Sequence, residues 1–187
     1  MNLNLGSGSK VKENYINVDK YDLKNVEIVH DLELFPYPFE DNSVENILLN
    51  HVLEHLGQTF DVFNNILKEF YRICKHNALI EIKVPHPRHD DYLSDPTHVR
   101  PITSLGLSLY DQELNKLYEE QNAANTPLGL IHNLNFKILS SEYVVEPHYL
   151  KDIENGTISK EDFELKMKHN FNVIKETKIL WKVIKSH

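Results

Sequence analysis

Residues 51–55 read His51-Val52-Leu53-Glu54-His55. On a helix, His51 and His55 would share one face with Glu54 beside them. At that spacing, H-x-x-E-H, two imidazoles can ligate zinc while the carboxylate acts as a base. A zinc peptidase would also need a long helix around the motif and a carboxylate ligand from a second helix. Here the motif directly follows a strand-like run, Glu45–Asn50, and Gly57 cuts the local helix short. A looser metal role stays open for Glu54 and His55, with a further ligand drawn from His86, His89 or His98. Such a nitrogen-rich set suits Zn²⁺, Mn²⁺ or Fe²⁺ better than Mg²⁺. The plainer expectation is that these side chains fix a loop by hydrogen bonds, with no metal by default.

A second group is Asp95-Pro-Thr-His98-Val-Arg100-Pro-Ile-Thr103. An imidazole such as that of His98 can take a proton from a hydroxyl. Arg100 offers a planar fork for a carboxylate or phosphate, and Asp95 can orient either one. The alternative is an internal ion pair and a helix cap. His86, His89, Asp90 and Asp91 precede it in the same loop and are expected on a solvated, substrate-facing lid, with His86 as a substrate contact.

The third group is Gly6-Ser7-Gly8, where the first apolar run ends, together with Asp19 at the end of the second. Glycines there allow a tight bend and close backbone approach to a ligand. A carboxylate ending the next strand of an open α/β sheet meets ribose hydroxyls. Val11 stands where a dinucleotide fingerprint needs its third glycine, and no Lys-Ser/Thr pair follows a glycine run. The short step from Gly8 to Asp19 favours a nucleoside smaller than a dinucleotide.

Strands are expected at 2–5, 15–18, 26–29, 45–50, 78–84, 136–145 and 177–184. Phe60, Phe63, Leu67, Phe70 and Cys74 recur at helical spacing and predict a helix over 59–75. His76-Asn77 is the expected helix stop. Turn or helix is expected around 10–14, helix from about 103 to 121, and helix within 151–172. Alternating strands and helices signal a parallel α/β sheet.

Composition bounds the rest. The 187 residues are 41% hydrophobic and 26% charged, as in one ordinary globular domain spanning 1–187. The single cysteine, Cys74, excludes a disulfide framework and reads as core filler. A net charge of −8 argues against nucleic acid. No run suits a membrane span or signal peptide, so a cytoplasmic protein is expected.

Three segments taken together, LNLGSGSKVKENYINVDKY, IVHDLELFPYPFEDNSVENILLNHVLEHL and ALIEIKVP, resemble the class I S-adenosylmethionine-dependent methyltransferases. The likeness is to small bacterial members with a methyltransferase type 11-like core. It implies an α/β fold with a single Rossmann-like, doubly wound sheet of about seven strands. That sheet is mostly parallel with an antiparallel last strand, and carries helices on both faces. By the same resemblance Gly6, Ser7 and Gly8 line the cofactor's methionine part and Asp19 binds its ribose. Asp31 and Leu32 hold the adenine, while Asn50 and His51 lie near the sulfonium. Asn4 replaces a common acidic residue, and His76-Asn77 replaces a common Pro-Gly-Gly. At 51–55 the chain is also similar to methyltransferases with E-x-x-E-H that use a divalent ion, His51 standing for the first Glu.

The implied reaction is O-methylation of a hydrophilic small molecule or sugar. His98 is the leading base, followed by His55 or His51, and Asp95, Arg100 and His86 contact the acceptor. Loop 85–102 and inserts 122–133 and 151–172 would roof the acceptor site, with a homodimer as one way to complete it. Competing classes are a metal-dependent hydrolase and a non-catalytic S-adenosylmethionine-binding protein.

Overall fold

The computed structural model describes residues 1–185. All seven expected strands are present: β1 (Asn2–Leu5), β2 (Ile16–Asp19), β3 (Ile28–Val29), β4 (Val44–Asn50), β5 (Cys74–Pro85), β6 (Phe136–Val145) and β7 (Ile174–Val183). They form one sheet in the order β3-β2-β1-β4-β5-β7-β6. The first five pair in parallel; β7 runs antiparallel between β5 and β6. Strand order reverses between β1 and β4, which opens a crevice at their carboxyl ends.

The helices are concentrated after β4. Helix α1 (Phe60–Ile73) joins β4 to β5. Helices α2 (Asp90–Leu93), α3 (Ser104–Ser108), α4 (Gln112–Glu120) and α5 (Leu128–His132) lie between β5 and β6. Helices α6 (Pro147–Glu154) and α7 (Lys160–His169) lie between β6 and β7. Among the described residues, no helix joins β1, β2, β3 and β4 to one another. Residues 6–15 and 20–27 are each shorter than the roughly dozen residues a helical crossover requires, so the expected turn or helix at 10–14 is only a turn. Leu48, Asn50, Glu81, Lys83, Lys178 and Leu180 therefore line an open groove on the second face.

The core lies on the other face. Thr59 caps α1 by accepting from Val62 N, and Phe63, Ile66, Leu67, Phe70 and Ile73 all turn inward. They join Ile47, Leu49, Ile80 and Ile82 of the sheet in one buried cluster. Trp181 stacks on Phe136 at 4.2 Å between ring centres and meets Tyr110 edge-on. Arg72 ties α1 to the loop after β3, donating to Asp41 Oδ1 at 2.6 Å, Glu69 Oε2 at 2.7 Å and Phe39 O at 2.9 Å.

Three local expectations change. Helix α1 stops at Ile73, and buried Cys74 begins β5 instead of facing the core from the helix; burial pushes its thiol up to about 12. Asn77, left-handed at φ 66°, belongs to the register shift between β4 and β5, not to a helix end. The helix expected over 103–121 breaks at 109–111, where Asp111 accepts from Glu113 N and Leu114 N to start α4.

A one-sided core predicts one-sided sensitivity. Phe70→Ala is expected to cost about 3–5 kcal/mol in urea unfolding, and Lys178→Thr on the open face less than about 0.5 kcal/mol. Equal losses at the two positions would contradict this architecture.

Candidate functional site

Four strand ends converge on one cavity of about 440 Å³, a volume suited to a nucleoside-sized ligand. Its floor is the bend after β1. Gly6 and Gly8 are left-handed, at φ 66° and 52°. Ser7 N donates to Val18 O at 3.0 Å, and Gly8 N donates to Asp19 Oδ2 at 2.8 Å. The bend is thus tied to the end of β2. A Cβ on Gly6 would come within 2.6 Å of Val52 Cγ2, so the bend also packs directly against the chain leaving β4. Asp19 Oδ1 accepts from Tyr21 N at 3.0 Å, and each carboxylate oxygen keeps a lone pair for a further donor.

The wall after β3 is Asp31 and Leu32. Asp31 Oδ1 accepts from Glu33 N at 2.9 Å in an Asx turn. Buried Tyr37 donates its hydroxyl to Leu32 O at 2.7 Å; burial and then Glu69 push its pKa well up, so it stays a donor. Glu33 Oε1 accepts from Gly57 N at 2.7 Å and links this wall to the third one.

That third wall begins at His51, a non-glycine residue at φ 56°. The motif 51–55 is no α-helix: only Leu53–His55 form a 3₁₀ turn, so the peptidase geometry is missing. His51 N donates to Lys83 O at 2.8 Å, and Nε2 contacts Glu176 Oε1 at 2.9 Å. Nδ1 stands 3.4 Å from Glu54 Oε1, an ion-pair distance without a well-formed hydrogen bond. Glu54, against the opposing effect of burial and joined by Glu176, raises the His51 pKa. Burial alone would lift the Glu176 carboxyl, but Lys83 and His51 hold it below the usual range.

Loop 95–100 is zipped onto this turn. Val99 N and Arg100 N donate to Glu54 O at 2.9 and 3.2 Å. Asp95 Oδ1 accepts from Thr97 N at 2.8 Å and Thr97 Oγ1 at 2.6 Å, which lowers its pKa, and Thr97 Oγ1 meets His55 Nδ1 at 2.9 Å. His98 stacks on Tyr92, stands 4.6 Å from the His55 ring and directs Nδ1 at Tyr92 O, 2.7 Å away.

Gly6, Gly8, Asp19, Asp31, Leu32, His51 and His55 all line the cavity. Several other expected residues do not. Asn50 points to the open sheet face, because β4 alternates and His51 takes the cavity side. Ser7 is buried under the bend. Arg100 turns inward: it lies 4.5 Å over the Phe63 ring and donates to Gly57 O at 2.8 Å, so its fork fastens the loop to α1. His86 is folded away from the cavity, accepting from Arg88 N and meeting Tyr143 edge-on. His89 is buried against Glu146 at 3.0 Å and caps α2, so it is no solvated lid residue. His98 lies behind His55, and Asp95 acts through Thr97. Insert 122–133 packs α5 near Tyr110 and Asn115, away from the cavity, and 151–172 packs α7 against Arg88. Sequence reading missed Thr97, Tyr37 and Glu176; only the H-x-x-E-H neighbourhood hinted that His51 would need an acidic partner from elsewhere.

Comparison with known proteins finds likenesses in sequence and fold. Residues 8–82 match the Methyltransf_11 family, a methyltransferase domain. A search of curated proteins found no match. Among solved structures, a SAM-dependent methyltransferase from Archaeoglobus fulgidus aligns over 97% of this chain and 85% of its own, with TM-score 0.61 and 18% identity. One from Methanosarcina mazei aligns over 99% and 92%, with TM-score 0.55 and 12% identity. The YcgJ protein from Bacillus subtilis aligns over 100% and 92%, with TM-score 0.51 and 14% identity. Among the described residues no helix is long and apolar enough to cross a membrane.

The two glycines of the bend make separable predictions. Gly6→Ala is expected to lose about 2–5 kcal/mol, from overpacking on Val52 and a left-handed side chain. Gly8→Ala, with nothing within 4 Å of its added Cβ, should lose only about 1–2 kcal/mol. Chemical denaturation of both variants checks the difference.

Proposed function

We propose that this class I S-adenosylmethionine-dependent methyltransferase transfers its methyl group to a hydroxyl oxygen of a hydrophilic small molecule, a sugar being the favoured class. The observation that carries this reading is the convergence of Asp19, the Gly6–Gly8 bend and the Asp31–Leu32 wall on one cavity whose far side is His51, His55 and Thr97. Asp19 accepts from the ribose diol, the Asp31–Leu32 backbone borders the adenine, and the bend admits the methionine part. The sulfonium then lies toward the chain leaving β4. An acceptor oxygen docking from the His55–Thr97 side attacks the methyl carbon in line: an O–C bond forms and an S–C bond breaks. The acceptor proton leaves on the His55 side, and neutral S-adenosylhomocysteine remains. Alignment of the two reactants can supply roughly 7–11 kcal/mol of barrier reduction.

The polar, ionisable character of the His55 wall supports a hydrophilic acceptor. The chain's acidity disfavours polyanions and suits a cofactor that carries a net positive charge until its methyl group is given up. His98, first choice from sequence, serves here behind His55, which lines the cavity beside Thr97.

Calorimetric titration with S-adenosylmethionine, S-adenosylhomocysteine, NAD and ATP tests the cofactor assignment: only the first two should bind. Asp19→Ala should weaken S-adenosylmethionine at least about tenfold, the loss of hydrogen bonds to a charged acceptor. Unchanged affinity would refute the ribose role. With a panel of sugar hydroxyl acceptors, His55→Ala should lose turnover by about 10²–10⁴-fold while cofactor affinity holds.

A further inference from the structure

Glu54 carries a carboxylate that the fold leaves unsatisfied. The residue is 1% exposed, and neither Oε1 nor Oε2 has a hydrogen-bond partner among the described residues. A buried carboxylate without donors costs several kcal/mol unless a cation stands beside it. His51 approaches Oε1 alone, at 3.4 Å.

The neighbouring imidazoles are set up in a complementary way. Thr97 Oγ1 gives its only proton to Asp95 Oδ1, so the 2.9 Å contact with His55 assigns the proton there to Nδ1. The carbonyl of Tyr92 can only accept, so His98 Nδ1 is likewise the donor at 2.7 Å. Nδ1 of each ring is thereby fixed as a donor, which turns Nε2 to other partners; His98 Nε2 stands 3.8 Å from Asp95 Oδ2. Metal-bound histidines are held in this manner, the second nitrogen anchored on a carbonyl or a hydroxyl–carboxylate relay. One donor atom from each of Glu54, His55 and His98 lies within 4.8 Å of the others.

We propose that Glu54, His55 and His98 bind a divalent transition-metal cation such as Zn²⁺ or Mn²⁺ at the acceptor end of the cavity. Two imidazoles and one carboxylate favour these ions over Mg²⁺, which prefers oxygen. The set leaves coordination positions open toward the cavity, which His55 and Thr97 line. Resting on the functional reading above, an acceptor oxygen bound there would shed its proton to solvent more readily than a free hydroxyl. His55 would then act on the acceptor through the cation. Binding of the cation itself does not depend on that reading.

The test uses the full-length, untagged, chelator-treated protein, titrated calorimetrically with Zn²⁺ and with Mn²⁺. One ion per chain is expected, with Mg²⁺ weaker. His55→Ala, His98→Ala and Glu54→Gln should each weaken it at least about tenfold, and Thr97→Val, which frees only the His55 anchor, about 10-fold or more. Co²⁺ should give visible ligand-field absorption in the parent protein that is lost in His55→Ala and His98→Ala. Thermal melts of the metal-free variants separate lost ligation from lost folding; if Glu54→Gln does not fold, the two histidine variants decide. Absence of binding, or equal affinity in parent, His55→Ala and His98→Ala, would overturn the site, the latter by placing the ion on other histidines. Either failure leaves the S-adenosylmethionine titrations untouched.

Discussion

The structure turns on one backbone pivot, His51, where the chain leaves β4 in the left-handed region at φ 56°. Such a conformation costs a non-glycine residue about 1–2 kcal/mol, although His adopts it more readily than most. Lys83 O, Glu176 and Glu54 hold it from three sides. The pivot sends Val52 down onto Gly6, at the floor of the cavity, and sends Glu54 and His55 toward loop 95–100, on its far side. Relaxing it to an ordinary extended residue would separate the two halves of the site.

The supports behind the cavity come from far along the chain. Glu176 of β7 bridges His51 and Lys83, each at 2.9 Å, so the antiparallel strand buttresses the parallel part of the sheet. Arg100, half-buried over Phe63, plays the same part for the loop after β5. A guanidinium there serves loop anchoring, stacked on Phe63 and bonded to Gly57 O away from the cavity at the strand ends.

Strand positions and the bend after β1 were legible because they depend on local chemistry. Gly6 and Gly8 mark a bend that needs positive φ, and Asp19 closes an apolar run. The far side of the cavity was harder because residue type alone does not say which way a side chain turns. Arg100 and His86 looked like recognition groups, yet partners remote in sequence, Phe63 and Tyr143, drew them inward. Asn50 failed for a simpler reason: strand alternation gives adjacent residues opposite faces, so only one of Asn50 and His51 can reach the cavity. The break between α3 and α4 was written in Asp111, a capping residue inside an otherwise periodic run.

The open second face of the sheet has a thermodynamic consequence. Strands in parallel sheets are ordinarily apolar on both sides, whereas here Asn46, Leu48 and Asn50, or Glu81 and Lys83, alternate with the core positions. Less hydrocarbon is therefore hydrated when this chain melts than when a fully sandwiched sheet of equal length does. The heat-capacity increment and the denaturant m-value both scale with that area. The stability curve of this protein should accordingly be shallow, with a broad maximum and weak curvature on either side.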